Sequence, residues 1–243
     1  MWLQGGLLLL LFVGSCSITN YNDRTNEPLE FHHNFCESRL QNNEPPEIYN
    51  AFTSLAISIV PFIAGFPKYQ PFTNVAYGLI LNGFGSCYYH YYLTWLGKQS
   101  DEISMILCNY FGLCGLIQLY YPKGKRKKYH FWNLMYMYGF FVINSVIRFD
   151  QYFPLLFGVY LIPTIYYIRK IALVHQSHYK RYLALSSLGA SCWILSEVYC
   201  NEYTVFGHVI WHFCFPLGFY RILILYDNLY HKLHGYDSII NNV

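Results

Sequence analysis

The chain has 243 residues, of which 54% are hydrophobic, 21% are aromatic and only 12% are charged. Water-soluble domains carry about 25% charged residues, so this composition excludes an ordinary soluble domain and indicates a protein surrounded by lipid. The formal net charge of +3 is too small to indicate a nucleic-acid-binding protein, and no nucleic-acid partner is predicted.

The first segment, residues 1–17, has the pattern of a signal peptide. Its leucine-rich core of about seven to nine residues is too short to cross a bilayer, and small residues follow it. The segment lacks a basic start, so an uncleaved anchor and a lipoprotein-type modification at Cys16 remain open alternatives. Residues 18–47 then form a predicted lumenal amino-terminal segment.

Seven apolar stretches, each about 20 residues long, are predicted to cross a bilayer as helices. They cover residues 48–66, 72–95, 103–121, 131–148, 153–171, 182–200 and 206–228. Several contain or adjoin a proline, which membrane helices tolerate. The predicted fold class is therefore all-α: a polytopic, seven-transmembrane helix bundle over residues 48–228, with a cytoplasmic tail at 229–243.

Basic residues set the predicted orientation of this bundle. With seven spans, most Lys and Arg residues fall on the side of the carboxyl terminus, including the run KGKRKK at 123–128. Cytoplasmic loops carry an excess of basic residues, so the amino terminus is predicted to be lumenal or extracellular and the carboxyl terminus cytoplasmic. A signal peptide requires the same orientation. The basic run is interpreted as a loop that sets the topology.

Polar side chains cluster near the outer end of the second and third predicted spans. In GSCYYHYYLTWLGKQSDE, Ser86 and His90 lie four residues apart, a spacing that puts both on one face of a helix. Asp101 follows a short turn containing Gly97 and opens the third span. Ionisable groups inside a membrane are costly without partners, so this cluster is a candidate functional site.

The last span begins with a second motif, GHVIWH, in which His208 and His212 are again four residues apart. Three imidazoles from two helices can share a metal, and zinc commonly takes three protein ligands and leaves one position for water. Zinc lowers the pKa of that water to about 7, a nearby carboxylate could accept its proton, and a serine hydroxyl could stabilise an oxyanion. On spacing alone, histidines that only hydrogen-bond neighbouring carbonyls remain the alternative.

Together these motifs resemble those of the alkaline ceramidases, which belong to a wider group of seven-span, metal-dependent lipid hydrolases. The family pattern is S-x-x-x-H, an aspartate eleven residues later, and H-x-x-x-H with a tryptophan before its last histidine. Every position of that pattern is present here. FCE and EIYN, at 35–37 and 47–50, are similar to the family's WCE and EFWN, and the resemblance spans residues 34–228.

The resemblance implies an enzyme whose zinc ligands are His90, His208 and His212. Asp101 would orient the water and shuttle its proton, and Ser86 would assist at the oxyanion. The implied reaction is hydrolysis of the N-acyl amide bond of ceramide to a sphingoid base and a free fatty acid. The implied setting is the membrane of the endoplasmic reticulum or the Golgi, with the metal facing the lumen. No protein partner is predicted.

The family also carries a calcium site before the first span, and the matching residues here are Glu37, Glu47, Asn34 and Asn50. Oxygen ligands of this kind suit calcium. The chain departs from the family, however, because Asn34 stands where an aspartate is usual and Arg39 where a ligand asparagine is usual. A basic residue disfavours calcium, so an ordinary acidic lumenal segment is the alternative.

Two of the eight cysteines, Cys36 before the first predicted span and Cys200 at the outer limit of the sixth, lie beyond the signal segment and outside the membrane interior. Both lie on the oxidising side, where disulfides persist, and the resemblance places a disulfide at these two positions. The family has an aspartate four residues before the second cysteine. Ser196 occupies that place, with Glu197 beside it, and no catalytic role is assigned to Glu197.

Three other functions remain open at this stage. The motifs specify the chemistry more closely than the substrate, so a hydrolase of another lipid amide or ester is one alternative. A seven-span receptor or scaffold of the same fold is another, although it would have no need of Asp101. An ion channel or transporter would spread polar residues along several helices, whereas most of those here cluster at one end.

Overall fold

The structure, a computed structural model, describes residues 35–42, 44–146 and 152–240, without the side chains of 145, 146 and 235–240. Within these ranges the chain forms eight α-helices and a π-helical turn but no strand, which confirms the all-α class. The predicted signal peptide at 1–17 and the candidate ligand Asn34 lie outside the described residues.

The helices follow the predicted spans closely. Their bounds are α1 Cys36–Leu40, α2 Ile48–Ala64, α3 Gln70–Tyr92, α4 Trp95–Tyr120, α5 Lys123–Phe141, α6 Phe153–His175, α7 Lys180–Val198 and α8 Phe206–Ile240. The π-helical turn, Val142–Val146, continues α5. Each of the long helices α2 to α8 overlaps one predicted span, although α4 and α5 begin earlier than predicted, and α8 continues as helix through most of the predicted tail.

Three helices are long and apolar enough to cross a membrane: α4, α6 and the part of α8 from Phe206 to His234. Helix α2 is apolar but shorter. Large apolar side chains also face outward, since Phe62, Leu81 and Leu173 are 67%, 64% and 67% exposed. An exposed apolar surface of this kind indicates contact with lipid. The chain is a membrane protein by these criteria, while the seven-span arrangement and the domain limits stay predictions.

Helix α4 begins earlier than predicted, at Trp95 rather than residue 103. The chain turns at Leu93, which has a left-handed φ of 49°, and Thr94 caps α4 by accepting a hydrogen bond from the backbone N–H of Gly97 at 3.1 Å. Gly97 therefore lies inside the helix and not in a turn before it. Asp101 lies in the second turn of the helix and not at its start. The prediction was wrong because it took the polar run after Gly97 for a loop and overlooked the threonine cap.

The basic run at 123–128 is also not a loop, because α5 begins at Lys123 and includes all of it. Pro122 precedes the helix and ends the extended connection from α4. Basic side chains thus occupy the first turns of a helix whose later residues, such as Phe131 and Trp132, are apolar and exposed. The run remains compatible with a cytoplasmic position, which stays a prediction.

Packing brings the two motif-bearing helices together. Helix α3 packs between α2 and α4, and α8 packs against α7 and α2. The contact between α7 and α8 is close at Gly207, where an added Cβ would collide with the carbonyl of Cys192. Only glycine permits this approach, and it places the carboxyl end of α7 beside the first turn of α8. The carboxyl ends of α3 and α7 and the amino-terminal end of α8 therefore surround one small region.

Candidate metal centre and active site

Three histidine side chains meet in this region. His90 comes from α3, and His208 and His212 come from consecutive turns of α8. One potential ligand atom of each lies within 4.8 Å of the others, and all three side chains are buried. The ring centroids are 5.0, 5.5 and 4.7 Å apart for the pairs 90–208, 90–212 and 208–212. The structure thus brings together the predicted zinc ligands, whose role stays a prediction.

Two of the three imidazoles have a hydrogen-bond partner at Nδ1. His90 Nδ1 contacts the Glu47 carboxylate, and His212 Nδ1 lies 3.0 Å from Thr53 Oγ1. The Thr53 hydroxyl donates to the carbonyl of Tyr49 at 2.6 Å, so its oxygen is left to accept the Nδ1–H of His212. In both rings this leaves Nε2 as the nitrogen that is free to bind a metal ion. Such partners are typical around metal-bound histidines, and the nitrogen donor set fits zinc.

Glu47 is the most enclosed of the charged groups here, with a side-chain exposure of 0%. Its second oxygen accepts a hydrogen bond from Ser38. Burial opposes ionisation of this carboxyl, but the hydrogen bond and charge of His90 lower the pKa of Glu47 below its usual range. Glu47 therefore remains a carboxylate that accepts the Nδ1–H of His90.

Asp101 faces the same region from the second turn of α4. Asn82 Nδ2 donates to its Oδ1 at 2.9 Å, and Ser86 also hydrogen-bonds the carboxylate. Ser86 in turn accepts from Ser54 Oγ at 3.0 Å. Sequence reasoning missed Asn82, although 82, 86 and 90 repeat at four-residue intervals and so share one face of α3. That spacing was the signal that could have revealed it.

A cavity of about 240 Å³ opens beside these groups. Ser86, Asp101, His208 and His212 line it, as do Lys98 and Glu102 within one turn of Asp101, and apolar side chains from six helices make up most of the rest. The lining continues along α8 from His208 to Leu223, which corresponds to about 22 Å of helix. The cavity is therefore long and apolar, with the ionisable groups gathered at one end.

The predicted calcium ligands have other partners in the structure. Both oxygens of Glu37 accept backbone N–H groups, from Tyr49 at 2.8 Å and Asn50 at 2.9 Å, and so satisfy the start of α2. Burial raises the pKa of Glu37, and these N–H groups act against that rise. Glu47 is engaged as described above. The Oδ1 atom of Asn50 is buried and has no hydrogen-bond partner among the described residues.

Calcium takes six to eight oxygen ligands, and the described members of the predicted set do not supply them. Arg39 adds a positive charge to the same segment, although its guanidinium contacts Glu197 at 3.1 Å. Any further oxygens for calcium would have to come from Asn34, backbone carbonyls or water. Calcium binding stays a prediction, and no step of the chemistry below depends on it.

The predicted disulfide between Cys36 and Cys200 is confirmed, with a Cα–Cα distance of 5.2 Å. It joins the start of α1 to the end of α7, residues that are 164 positions apart. The neighbouring Phe35 packs over the histidines, with ring centroids 5.4 Å from His90 and 4.7 Å from His208. The disulfide thus holds the amino-terminal segment over the histidine cluster.

Comparison with known protein families gives one match to this chain. A family model described as "Ceramidase" matches residues 28–240, which is nearly the whole chain and includes every residue of the cluster. No curated protein sequence matches the chain.

Proposed function

Because the chain belongs to the ceramidase family, we propose that it is a zinc-dependent enzyme that hydrolyses the N-acyl amide bond of ceramide. Membership of the family implies a hydrolase of amide bonds with a lipid substrate. The observation that best supports the finer proposal is the buried cluster of His90, His208 and His212 beside Asp101, at the polar end of an apolar cavity. The products would be a sphingoid base and a free fatty acid.

The three histidines would hold the zinc ion through the ring nitrogens that face one another. When bound, zinc supplies Lewis acidity at the substrate carbonyl and makes water a usable nucleophile near neutral pH. Glu47 and Thr53 fix the rings of His90 and His212 by accepting their Nδ1–H groups. Fixed rings keep the donor atoms in place without reorganisation during the reaction.

Asp101 is the group that moves the proton in this proposal. Its carboxylate accepts a proton from the attacking water and then delivers it to the departing amine nitrogen. Asn82 holds Oδ1 at 2.9 Å, which orients the carboxylate toward the cavity. General acid–base assistance of this kind contributes about 10²- to 10⁴-fold in rate. Without that proton the amine would be a poor leaving group.

Ser86 is placed to stabilise negative charge on the carbonyl oxygen. Its hydroxyl accepts from Ser54 at 3.0 Å and hydrogen-bonds Asp101. To donate to an oxyanion it must rotate away from Asp101, which becomes easier once Asp101 has taken the proton. The Ser54 contact keeps the oxygen of Ser86 in position while its hydrogen turns.

The cavity supports a lipid as the substrate. Side chains such as Leu79, Phe157 and Leu223 line it beyond the polar end. Each methylene group buried there contributes about 0.8 kcal/mol to binding. One chain of a ceramide could occupy this space with its amide carbonyl at the histidines, because apolar pockets with few polar groups fix orientation through those groups.

The proposal includes the seven-span arrangement, with α2 to α8 as the spans and the histidines near the lumenal side. The disulfide beside the cluster supports an oxidising compartment on that side. The membrane of the endoplasmic reticulum or the Golgi, with the carboxyl terminus in the cytoplasm, meets this requirement.

The test is turnover by the purified full-length protein in lipid nanodiscs. We expect release of free fatty acid and sphingoid base from a ceramide in equal amounts. The Asp101→Asn variant, which replaces one carboxylate oxygen by an amide nitrogen, serves as the matched control and should release both products far more slowly. No turnover of ceramide by the zinc-loaded wild-type protein would contradict the proposal.

A further inference from the structure

The three imidazoles are not equally supported. His90 and His212 each have a partner at Nδ1, whereas the Nδ1 of His208 is buried and has no hydrogen-bond partner among the described residues. His208 itself is only 5% exposed. A buried N–H without an acceptor is rare in folded proteins, and it marks a place where an acceptor is expected to arrive. The unpaired Nδ1 of His208 therefore indicates that a further side chain serves as its hydrogen-bond acceptor.

The nearest charged group is the carboxylate of Glu197. Its Oε1 lies 3.9 Å from His208 Nδ1, which is about 1 Å longer than a normal N–H···O hydrogen bond. Glu197 is in the last turn of α7, next to the close helix contact at Gly207. Closing the gap requires a shift of about 1 Å between the two side chains.

Arg39 holds the other side of this carboxylate. Its Nη2 donates to Glu197 Oε2 at 3.1 Å and to the backbone carbonyl of Glu197 at 2.8 Å. Arg39 lies one helical turn after Cys36, whose disulfide to Cys200 fastens α1 to the end of α7. The guanidinium therefore reaches Glu197 from a fixed support. It keeps one oxygen occupied and leaves Oε1 directed toward His208.

Glu197 has two further contacts: the backbone N–H of Cys36 donates to its carboxylate, and the Ser196 hydroxyl lies 3.3 Å from Oε1. That hydroxyl also donates to the carbonyl of Trp193 at 2.8 Å. The Trp193 bond is the shorter, and a hydroxyl has one proton. A carboxylate has about four lone-pair sites, so Glu197 can still accept the Nδ1–H of His208 while Arg39 and Cys36 are bound.

We propose that Glu197 is a positioning residue for His208: its Oε1 accepts the Nδ1–H of that ring when the metal is bound, and Arg39 holds it in place. This inference rests on the proposed zinc-dependent function. Each imidazole then has one acceptor at Nδ1: Glu47 for His90, Thr53 for His212 and Glu197 for His208. The acceptor fixes the tautomer in which Nε2 of His208 is the ligand, and such partners typically change metal affinity by about 10- to 100-fold.

The experiment compares Glu197→Met with Glu197→Gln in the purified full-length protein. Both side chains are neutral and of similar length, and both lose the ion pair with Arg39, but only Gln keeps an oxygen that can accept the Nδ1–H. We expect zinc affinity, measured by competition with a chromogenic chelator, to fall about 10- to 100-fold in the Met variant and clearly less in the Gln variant. Glu202→Gln, a neutralised glutamate in the exposed loop after α7, is the control and should bind zinc like the wild type.

A spectroscopic readout separates positioning from general destabilisation. The visible d–d bands of the cobalt-substituted protein should shift in the Met variant and stay close to the wild type in the Gln variant. If the Met variant does not fold, Glu197→Asp replaces it. That change keeps the charge but withdraws the carboxylate from His208, so zinc affinity should still fall. Equal zinc affinity in wild type and in the folded Met or Asp variant overturns the inference while leaving the proposed function intact. A wild-type chain that binds no zinc overturns both.

Discussion

Buried carboxylates lie at both ends of the bundle, and they differ in what they face. Asp227, in the second half of α8, accepts backbone N–H groups from Lys68 at 3.1 Å and from Tyr69 at 2.7 Å. Glu47 and Asp101, at the opposite end, face side chains instead: His90 in one case and Asn82 with Ser86 in the other. Asp227 Oδ1 also lies 3.7 Å from His231 Nε2, which is beyond hydrogen-bond distance. A carboxylate whose hydrogen bonds come from the backbone stabilises a helix start, whereas one that is hydrogen-bonded to a buried imidazole or faces a cavity is available for chemistry.

Glu37 shows that location alone does not make this distinction. It lies close to Glu47, yet both of its oxygens accept backbone N–H groups at the start of α2, as those of Asp227 do for α3. Two neighbouring acidic residues of the same segment therefore have different roles. The nature of the hydrogen-bond donor separates the functional carboxylates from the structural ones.

The strongest test of this distinction is Asp101→Asn. The amide keeps the size of the carboxylate but cannot accept a proton, so turnover of ceramide should fall about 10²- to 10⁴-fold. Zinc content and the thermal unfolding temperature should change little, because Asp101 is not a predicted ligand. Fatty-acid release and metal analysis on the same preparation check both parts. Unchanged turnover would remove Asp101 from the chemistry, whereas a wild-type protein that binds zinc but shows no turnover would favour the receptor-like alternative.

A matched pair at the amino-terminal segment sharpens the comparison. Glu47→Gln removes the charge that holds His90, and zinc affinity should fall about 10- to 100-fold. Glu37→Gln removes a buried charge whose hydrogen bonds within the described ranges come from backbone N–H groups, and it should leave zinc affinity unchanged while lowering stability. Chelator competition and thermal unfolding measured on both variants separate the two effects. The distinction fails if Glu37→Gln weakens zinc binding as much as Glu47→Gln does.

The smallest effect on catalysis is expected at the other end of the bundle. Asp227→Asn weakens the bonds to the start of α3 and should lower the free energy of unfolding by about 1–3 kcal/mol. The rate of ceramide hydrolysis and the zinc affinity should stay at wild-type levels in the folded protein. Unfolding in denaturant, followed beside turnover below the transition, measures the two quantities. A loss of zinc affinity here would show that the ends of the bundle are coupled.

The sequence predicted the helices well because long apolar runs decide helix positions in a membrane protein. It misplaced the start of α4, where Thr94 caps the helix and polar residues continue it. The convergence of His90 with His208 and His212 followed from two four-residue spacings and a family pattern. Those signals lie within short stretches of the sequence, so they can be recognised without knowing how the helices pack.

The supporting groups were harder to predict because they come from other helices. Thr53 lies on α2 and Glu197 on α7, and nothing in their local sequence shows that they face histidines on α8. Their positions depend on how helices pack, as at Gly207, where α7 approaches α8 closely. Asn82 is different, since its place on the face of Ser86 and His90 could be derived from spacing.

Metal analysis of the purified full-length chain and its His208→Ala variant tests the central claim most directly. One imidazole is removed while Asp101, the cavity and the disulfide remain. The account predicts zinc at one ion per chain in the wild type, lost from the variant together with ceramide hydrolysis. An active wild-type protein without zinc, or a His208→Ala variant that retains both zinc and activity, would contradict it.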